Sequence, residues 1–200
     1  EKNLSFNSEG IILLNPFLQI NLETQIVHLE NKLLKNINLE SVLNFKDIIK
    51  KINSNIDFTF KRKKFSRSVI DNLNMKINLA YGRLNIQKIF VISESQFKCK
   101  SETNLLEEYP VVIFDCSLSS QDKKKLLKNF DIKYKSKNEP LNLDVKGNLN
   151  ILNNKINFEL IKINKDYTAT KEDLNFFKNS FENILFDQNF VNIFDLSKIK

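Results

Sequence analysis

A two-residue hydrophobic period runs along most of this chain and limits the folds that the chain can adopt. Apolar and polar side chains alternate, and the alternation resumes after short polar breaks. The alternating segments are 56–60, 73–79, 84–86, 141–145, 149–151 and 156–160. Because successive side chains of a strand point to opposite faces, each segment predicts a strand with one apolar and one polar face. The short breaks favour antiparallel neighbours, and segment 17–22 predicts a further strand.

The apolar positions of these strands, together with a more continuously apolar strand at 111–118, predict one shared face. Its members are Ile56, Phe58, Phe60, Leu73, Met75, Ile77, Leu79, Leu84, Ile86, Phe114, Leu141, Leu143, Val145, Leu149, Ile151, Ile156, Phe158 and Leu160. Leaving such a face in water costs about 25 cal/mol per Å². The predicted helices have roughly the area of this face, so a helix-covered sandwich and a partly open groove both fit the sequence.

Three segments have helical spacing instead: 39–52, 120–130 and 173–186. Ser119 or Ser120 is the expected N-cap of the second helix, and Thr170 with Asp173 predicts a capping box at the third. A short helix is expected near 190–196. The predicted fold class is therefore mainly β with flanking α-helices. It has a strand and a helix in residues 1–54, an antiparallel β-region with one helix in 55–165, and a helical segment in 166–200 after a hinge at 165–170.

The formal net charge is +7, and the excess lies in the middle of the chain, where residues 61–137 hold 17 basic and 8 acidic side chains. Two basic clusters consist of Lys61, Arg62, Lys63, Lys64 and Arg67, and of Lys123, Lys124 and Lys125. One interpretation is contact with phosphate, in lipid head groups or in nucleic acid. The other is solvated charge, since 28 lysines and 29 asparagines occur throughout the chain. Phenylalanines that share a face with Leu and Ile disfavour a nucleic-acid stacking surface.

Residues suited to catalysis or metal binding are scarce in this sequence. His28 is the only histidine, and acid–base catalysis needs a second group within hydrogen-bond reach. The sequence has no metalloprotease, nucleophile-elbow or phosphate-loop motif. A zinc site needs three or four ligands, which one His and two Cys do not supply well. We expect a non-enzymatic protein without a cofactor or a metal ion.

Cys99 and Cys116 both fall on apolar faces of predicted strands. A hairpin that turns near residues 107–108 would set them opposite each other. They are either two small buried hydrophobic residues or, in an oxidising compartment, the partners of a cross-strand disulfide.

No apolar run approaches the length of about 18 residues that spans a bilayer. The chain begins at Glu1 without an initiator methionine. We therefore expect a fragment of a longer protein, with any signal or membrane anchor upstream.

The order of motifs in residues 55–163 resembles the C-terminal region of AsmA-like proteins. The matching stretches are the alternating strand 71–79, the Gly-x-Leu-x-Ile strand 82–86, the helix 119–130 with its Leu-Leu pair, and the hairpin 140–151 with its Leu-x-Val-x-Gly-x-Leu-x-Ile pattern. The sequence departs from the family at Ser93-Glu94-Ser95, where the family often has paired glycines.

The resemblance implies a periplasmic part of a protein that is anchored in the inner membrane of a double-membrane bacterium. In that family a curved, open β-sheet forms a groove with an apolar inner face, and the family is linked to phospholipid movement towards the outer membrane and to envelope integrity. The apolar face would then line an acyl-chain groove. The basic clusters would contact anionic head groups, and the C-terminal helices would cap the groove or contact a membrane or an envelope protein.

Two other functions remain compatible with the sequence. One is a structural scaffold of the cell envelope with a closed core and no lipid. The other is a basic domain that binds nucleic acid or an acidic partner.

Overall fold

The computed structural model describes residues 4–15, 17–29, 46–64, 68–130, 132–135, 137–150 and 152–183. The strands are β1 (Leu4–Leu13), β2 (Leu18–Leu29), β3 (Ile52–Lys61), β4 (Asn72–Ala80), β5 (Arg83–Ile92), β6 (Ser95–Asn104), β7 (Val111–Ser120), β8 (Leu141–Asn150), β9 (Lys155–Ile163) and β10 (Tyr167–Thr168). The helices are α1 (Lys46–Ile49), α2 (Lys123–Lys128) and α3 (Lys171–Glu182). The prediction of a mainly β protein with flanking helices is confirmed.

The ten strands form one open sheet in which the spatial order is the chain order. Neighbours are antiparallel except for β2 and β3, which run parallel. The prediction of antiparallel pairing throughout is therefore wrong at this pair. Residues 30–51 connect the two strands, and a connection of a dozen or more residues is long enough for the crossover that parallel neighbours need. The predicted boundary after residue 54 falls inside β3.

Tight turns with left-handed backbone join the central strands. Between β4 and β5, Tyr81 and Gly82 have φ values of 49° and 83°, and between β5 and β6, Ser93 and Glu94 have φ values of 46° and 69°. Two consecutive residues with positive φ are typical of a type I′ turn, whose twist matches that of the flanking strands. The turn predicted at 81–82 is confirmed. Ser93 and Glu94 adopt a conformation that is easiest for glycine. They occupy the position at which AsmA-like proteins often have paired glycines.

The helix predicted over 39–52 ends earlier than expected in the described residues. They form a single turn, Lys46–Ile49, and Ile52 already begins β3. Residues 39–45 lie outside the described residues.

The helix predicted over 120–130 begins later than expected. Its N-cap is Asp122, whose carboxylate accepts a hydrogen bond of 2.7 Å from the backbone N–H of Lys125. The predicted caps are wrong because Ser119 and Ser120 belong to β7. The buried hydroxyl of Ser120 is hydrogen-bonded to that of Ser95 at 2.8 Å instead.

The capping box predicted at the start of the third helix is confirmed. The Thr170 hydroxyl accepts a hydrogen bond from the N–H of Asp173 at 3.3 Å, and the Asp173 carboxylate accepts one from the N–H of Thr170 at 2.9 Å. The bond from the Thr170 backbone is the main reason why the pKa of Asp173 is lowered. The remainder of the predicted helix beyond residue 183, and the short helix near 190–196, lie outside the described residues.

The residues after β9 cover the outer edge of that strand. The N–H of Ala169 donates to the carbonyl of Ile161 at 2.9 Å, and the N–H of Ile156 donates to Oε1 of Glu182 at 3.0 Å. The predicted hinge at 165–170 thus contains β10, a two-residue strand paired with β9. Backbone groups that would otherwise recruit a further strand are satisfied here.

Candidate functional site

The strand registers bring most of the predicted apolar side chains onto one side of the sheet, which we call the apolar face. Residues that lie opposite each other in neighbouring strands share a face. Three rows of opposed residues cross from β3 to β9. They are Ile56–Ile77–Ile86–Ser101–Phe114–Gly147–Phe158, Phe58–Met75–Lys88–Cys99–Cys116–Val145–Ile161, and Phe60–Leu73–Phe90–Phe97–Leu118–Leu143–Ile163. Flanking positions of the same face hold Leu79, Leu84, Leu141, Leu149 and Ile156.

Leu160 is an exception that the alternation could not reveal. The pairing of β8 with β9 shifts by one residue at a β-bulge, so Leu160 lies opposite Lys146 on the polar side of the sheet. After the bulge, Ile161 and Ile163 join the apolar face, opposite Val145 and Leu143. The assignment of Leu160 to the groove is therefore wrong, because one extra residue reverses which side of the sheet each later side chain faces.

The apolar face is half-exposed along most of its length. Within the three rows, Phe60 and Ile161 are buried side chains, with 4% and 6% exposure, and the other apolar members keep intermediate exposure. α3 meets the face at its β9 side, where the rings of Phe158 and Phe181 are 5.4 Å apart and edge to face. Such exposure is typical of a surface that can receive an apolar ligand.

Lys88 is a member of the apolar face that the sequence reasoning missed. It lies between Met75 and Cys99 in the middle row. Desolvation by the surrounding protein lowers the pKa of its ammonium group below the ordinary value of 10.5, while the side chain as a whole is exposed. No described residue forms an ion pair or hydrogen bond with this ammonium. The available signal was the alternation itself, since position 88 continues the apolar phase of 84 and 86.

Cys99 and Cys116 lie directly opposite each other in β6 and β7 and form a disulfide. The connection between these strands turns over residues 105–110, around the predicted point. A depression of about 240 Å³ lies over the disulfide. Besides the two cysteines, it is lined by Lys88, Phe90, Phe97, Lys98, Ser117, Leu118, Leu143 and Val145. The two short cysteines form its floor, while longer side chains of the neighbouring row rise beside them.

The two basic clusters lie at the same end of the sheet. β3 and β7 run in the same direction, since four successive antiparallel pairings separate them. Lys61–Lys64 come at and after the end of β3, and α2 follows the end of β7. The topology therefore brings together two segments that are about 60 residues apart in the chain.

Carboxylates neutralise part of this basic end. Arg62 pairs with Asp71 at 2.6 Å, Lys123 with Glu139 at 3.1 Å, and Lys125 with Glu94 at 2.8 Å. Hydrogen bonds to Tyr134 and then Glu139 raise the pKa of Lys123, and one to Glu94 raises that of Lys125. Four members of the two clusters, Lys61, Lys63, Lys64 and Lys124, have no carboxylate partner in the described part of the chain. Arg67, and Ile151, which was predicted to line the groove, lie outside the described residues.

The polar side of strands β3–β9 carries mainly Asn, Asp, Lys, Ser and Gln, and none of its described side chains is aromatic. An amide ladder crosses it, in which Asn55 donates to Asn21 at 3.0 Å and Asn78 donates to Asn55. This surface lacks the stacking groups with which single-stranded nucleic acids are bound.

Among the described residues, no group of three or more His, Cys, Asp or Glu side chains is arranged to hold a metal ion. No described helix is long and apolar enough to cross a membrane. His28 pairs with Ser5 in the ladder between β1 and β2.

Comparison with known proteins finds no match to this chain among protein-family models, curated proteins or solved structures. The similarity to AsmA-like proteins thus remains a prediction from the sequence.

Proposed function

We propose that this chain is a periplasmic, non-enzymatic part of an AsmA-like protein anchored in the inner membrane. In this proposal its apolar face holds or conducts phospholipid acyl chains between the two membranes and so supports the integrity of the envelope. The observation that carries the proposal is the half-exposed apolar face, which extends over seven neighbouring strands. An acyl chain that leaves water for this face gains about 25 cal/mol per Å² of apolar area.

The surroundings of the face are consistent with this function. The polar side of the sheet keeps the strands solvated, and α3 protects the β9 edge from pairing with further strands. The basic end offers unpaired lysines to anionic head groups, each worth about 1 kcal/mol near an anionic membrane surface. No bond forms or breaks during such transfer, so the proposal needs no catalytic residue.

Site-specific photocrosslinking tests the proposal directly. A photoreactive residue at Ile77 or Ile86, which are opposed on the apolar face, is expected to form lipid adducts in cells. Matched probes at Asn78 and Asn85, which are opposed on the polar side, are expected to form none. Protein adducts without lipid adducts at Ile77 and Ile86 would favour a structural envelope scaffold whose apolar face contacts protein.

A further inference from the structure

Lys88 is the one charged residue in the three rows of the apolar face. Its opposed neighbours are Met75 and Cys99, and the next positions on the same side of its own strand are Ile86 and Phe90. In the described residues no carboxylate pairs with its ammonium group. The side chain of Lys88 is exposed, so its charge is accessible to an anionic ligand that reaches the apolar face.

Lys88 lines the β5 side of the depression over the disulfide. The depression runs from Lys88 in β5 towards Val145 in β8, across three interstrand spacings or about 14 Å. Lys98 and Ser117, which are opposed on the polar side of β6 and β7, also border it. Its other lining residues are apolar, notably Phe90, Phe97 and Leu118. The rings of Phe90 and Phe97 are stacked 4.6 Å apart and form a flat wall. A cation at one end of an apolar depression is complementary to a molecule with an anionic head and a hydrocarbon chain.

We infer that the ammonium group of Lys88 binds the acidic head group, a carboxylate or a phosphate, of an amphiphile whose chain lies in the depression over the Cys99–Cys116 disulfide. The inference rests on the proposed lipid-binding function and adds a preference for anionic ligands to it. Desolvation lowers the pKa of Lys88, and an anion beside the ammonium group opposes this shift because it favours the charged form.

Binding of three oleoyl probes to the purified chain tests this inference. The probes are oleate, oleoyl lysophosphatidic acid and the uncharged oleyl alcohol, measured by displacement of a fluorescent fatty acid. Lys88→Met is expected to weaken binding of one or both anionic probes about tenfold or more, the loss of one charge-assisted hydrogen bond, and to leave oleyl alcohol unaffected. An effect on oleate alone identifies a carboxylate ligand, and an effect on the lysophosphatidic acid identifies a phosphate ligand.

Two further variants separate charge from structure. Lys88→Arg keeps the charge and is expected to retain most of the binding of the anionic probes. Lys100→Met removes an exposed lysine on the polar side of β6, outside the depression, and is expected to change nothing. Equal affinity of the wild type and Lys88→Met for all three probes would overturn the head-group assignment and leave the lipid-binding proposal standing. Failure of the folded wild type to bind any probe would overturn both.

Discussion

The carboxylate of Glu182 accepts a hydrogen bond of 3.0 Å from the backbone N–H of Ile156 and so ties the last turn of α3 to the outer edge of β9. Its second oxygen pairs with Lys155 at 3.2 Å. Burial by itself would raise the pKa of Glu182, but the bonds from Ile156 and Lys155 outweigh burial and lower it. The ionised carboxylate therefore stabilises the folded state.

Replacing Glu182 by Gln is expected to lower the free energy of unfolding at pH 7 by about 1 kcal/mol, because a charged acceptor is lost. The folded-state pKa lies below the ordinary 4.5. The stabilisation is thus fully present above that value and is lost as the pH falls through the folded-state pKa. Urea unfolding at pH 7 and pH 3 should show the difference between the two proteins shrinking. Glu108→Gln, at an exposed turn position, is the control, and a difference that persists unchanged at pH 3 would contradict the account.

Gly147 occupies a place on the apolar face where no larger residue fits. A Cβ atom there would lie 2.2 Å from the carbonyl oxygen of Asn157 and 2.8 Å from Cζ of Phe114. We expect Gly147→Ala to destabilise the fold by about 2 kcal/mol, a typical cost of overpacking. Ser101→Ala, in the same row, adds no atom and serves as the comparison in denaturant unfolding. A Gly147→Ala protein as stable as the wild type would mean that β8 and β9 are not this close at the bulge.

The turn between β5 and β6 holds Glu94 at a φ of 69°, which is unfavourable for a residue with a Cβ atom. Glu94→Gly removes this strain and also the exposed ion pair with Lys125, which contributes little. We expect a net gain in thermal stability of about 0.5 kcal/mol. Glu94→Ala loses the same ion pair without relieving the backbone, so it should be less stable than Glu94→Gly. The reverse order of melting temperatures would argue against the positive φ.

The disulfide between Cys99 and Cys116 closes a loop with a sequence separation of 17 residues. A disulfide that closes a loop of this size stabilises the folded protein by about 3 kcal/mol, because it restricts the unfolded chain. Reductant should lower the stability of the wild type by about this amount and leave the Cys99→Ala/Cys116→Ala double variant unchanged. If reductant alters neither protein, the two cysteines are not bonded in solution.

Alternation was sufficient to predict the apolar face because side-chain direction in a strand follows from position alone. The alternation predicts that Met75 and Phe58 lie on the same face. It does not predict that they are opposite each other, which follows from the register of β3 with β4. β1 was not predicted, because its middle is polar from Asn7 to Gly10 and its strand character comes from pairing with β2. The alternating pattern also does not predict that β2 and β3 are parallel, because alternation is the same for parallel and antiparallel neighbours.

The bulge and the lysine show two further limits of pattern reading. A bulge adds one residue to a strand without altering its alternating pattern. The pattern therefore placed Leu160 on the apolar face, whereas Ile161 lies there in the structure. Lys88 interrupts the apolar run that the pattern detects, although the phase of the run continues through Phe90. The side of the sheet that such a residue faces depends on the strand register and on its neighbours, and both are set only when the strands pair.

Co-purification with lipid tests the central claim most directly. The chain is purified without detergent as wild type, as Met75→Asp on the apolar face and as Asn74→Asp, the adjacent residue on the polar side, and each is analysed by native mass spectrometry and lipid extraction. We predict bound phospholipid in the wild type and in Asn74→Asp, and its loss in a Met75→Asp protein that keeps its β-sheet circular dichroism spectrum. Lipid-free wild-type protein, or equal lipid loading of all three, would contradict the assignment of the apolar face as a lipid-binding surface.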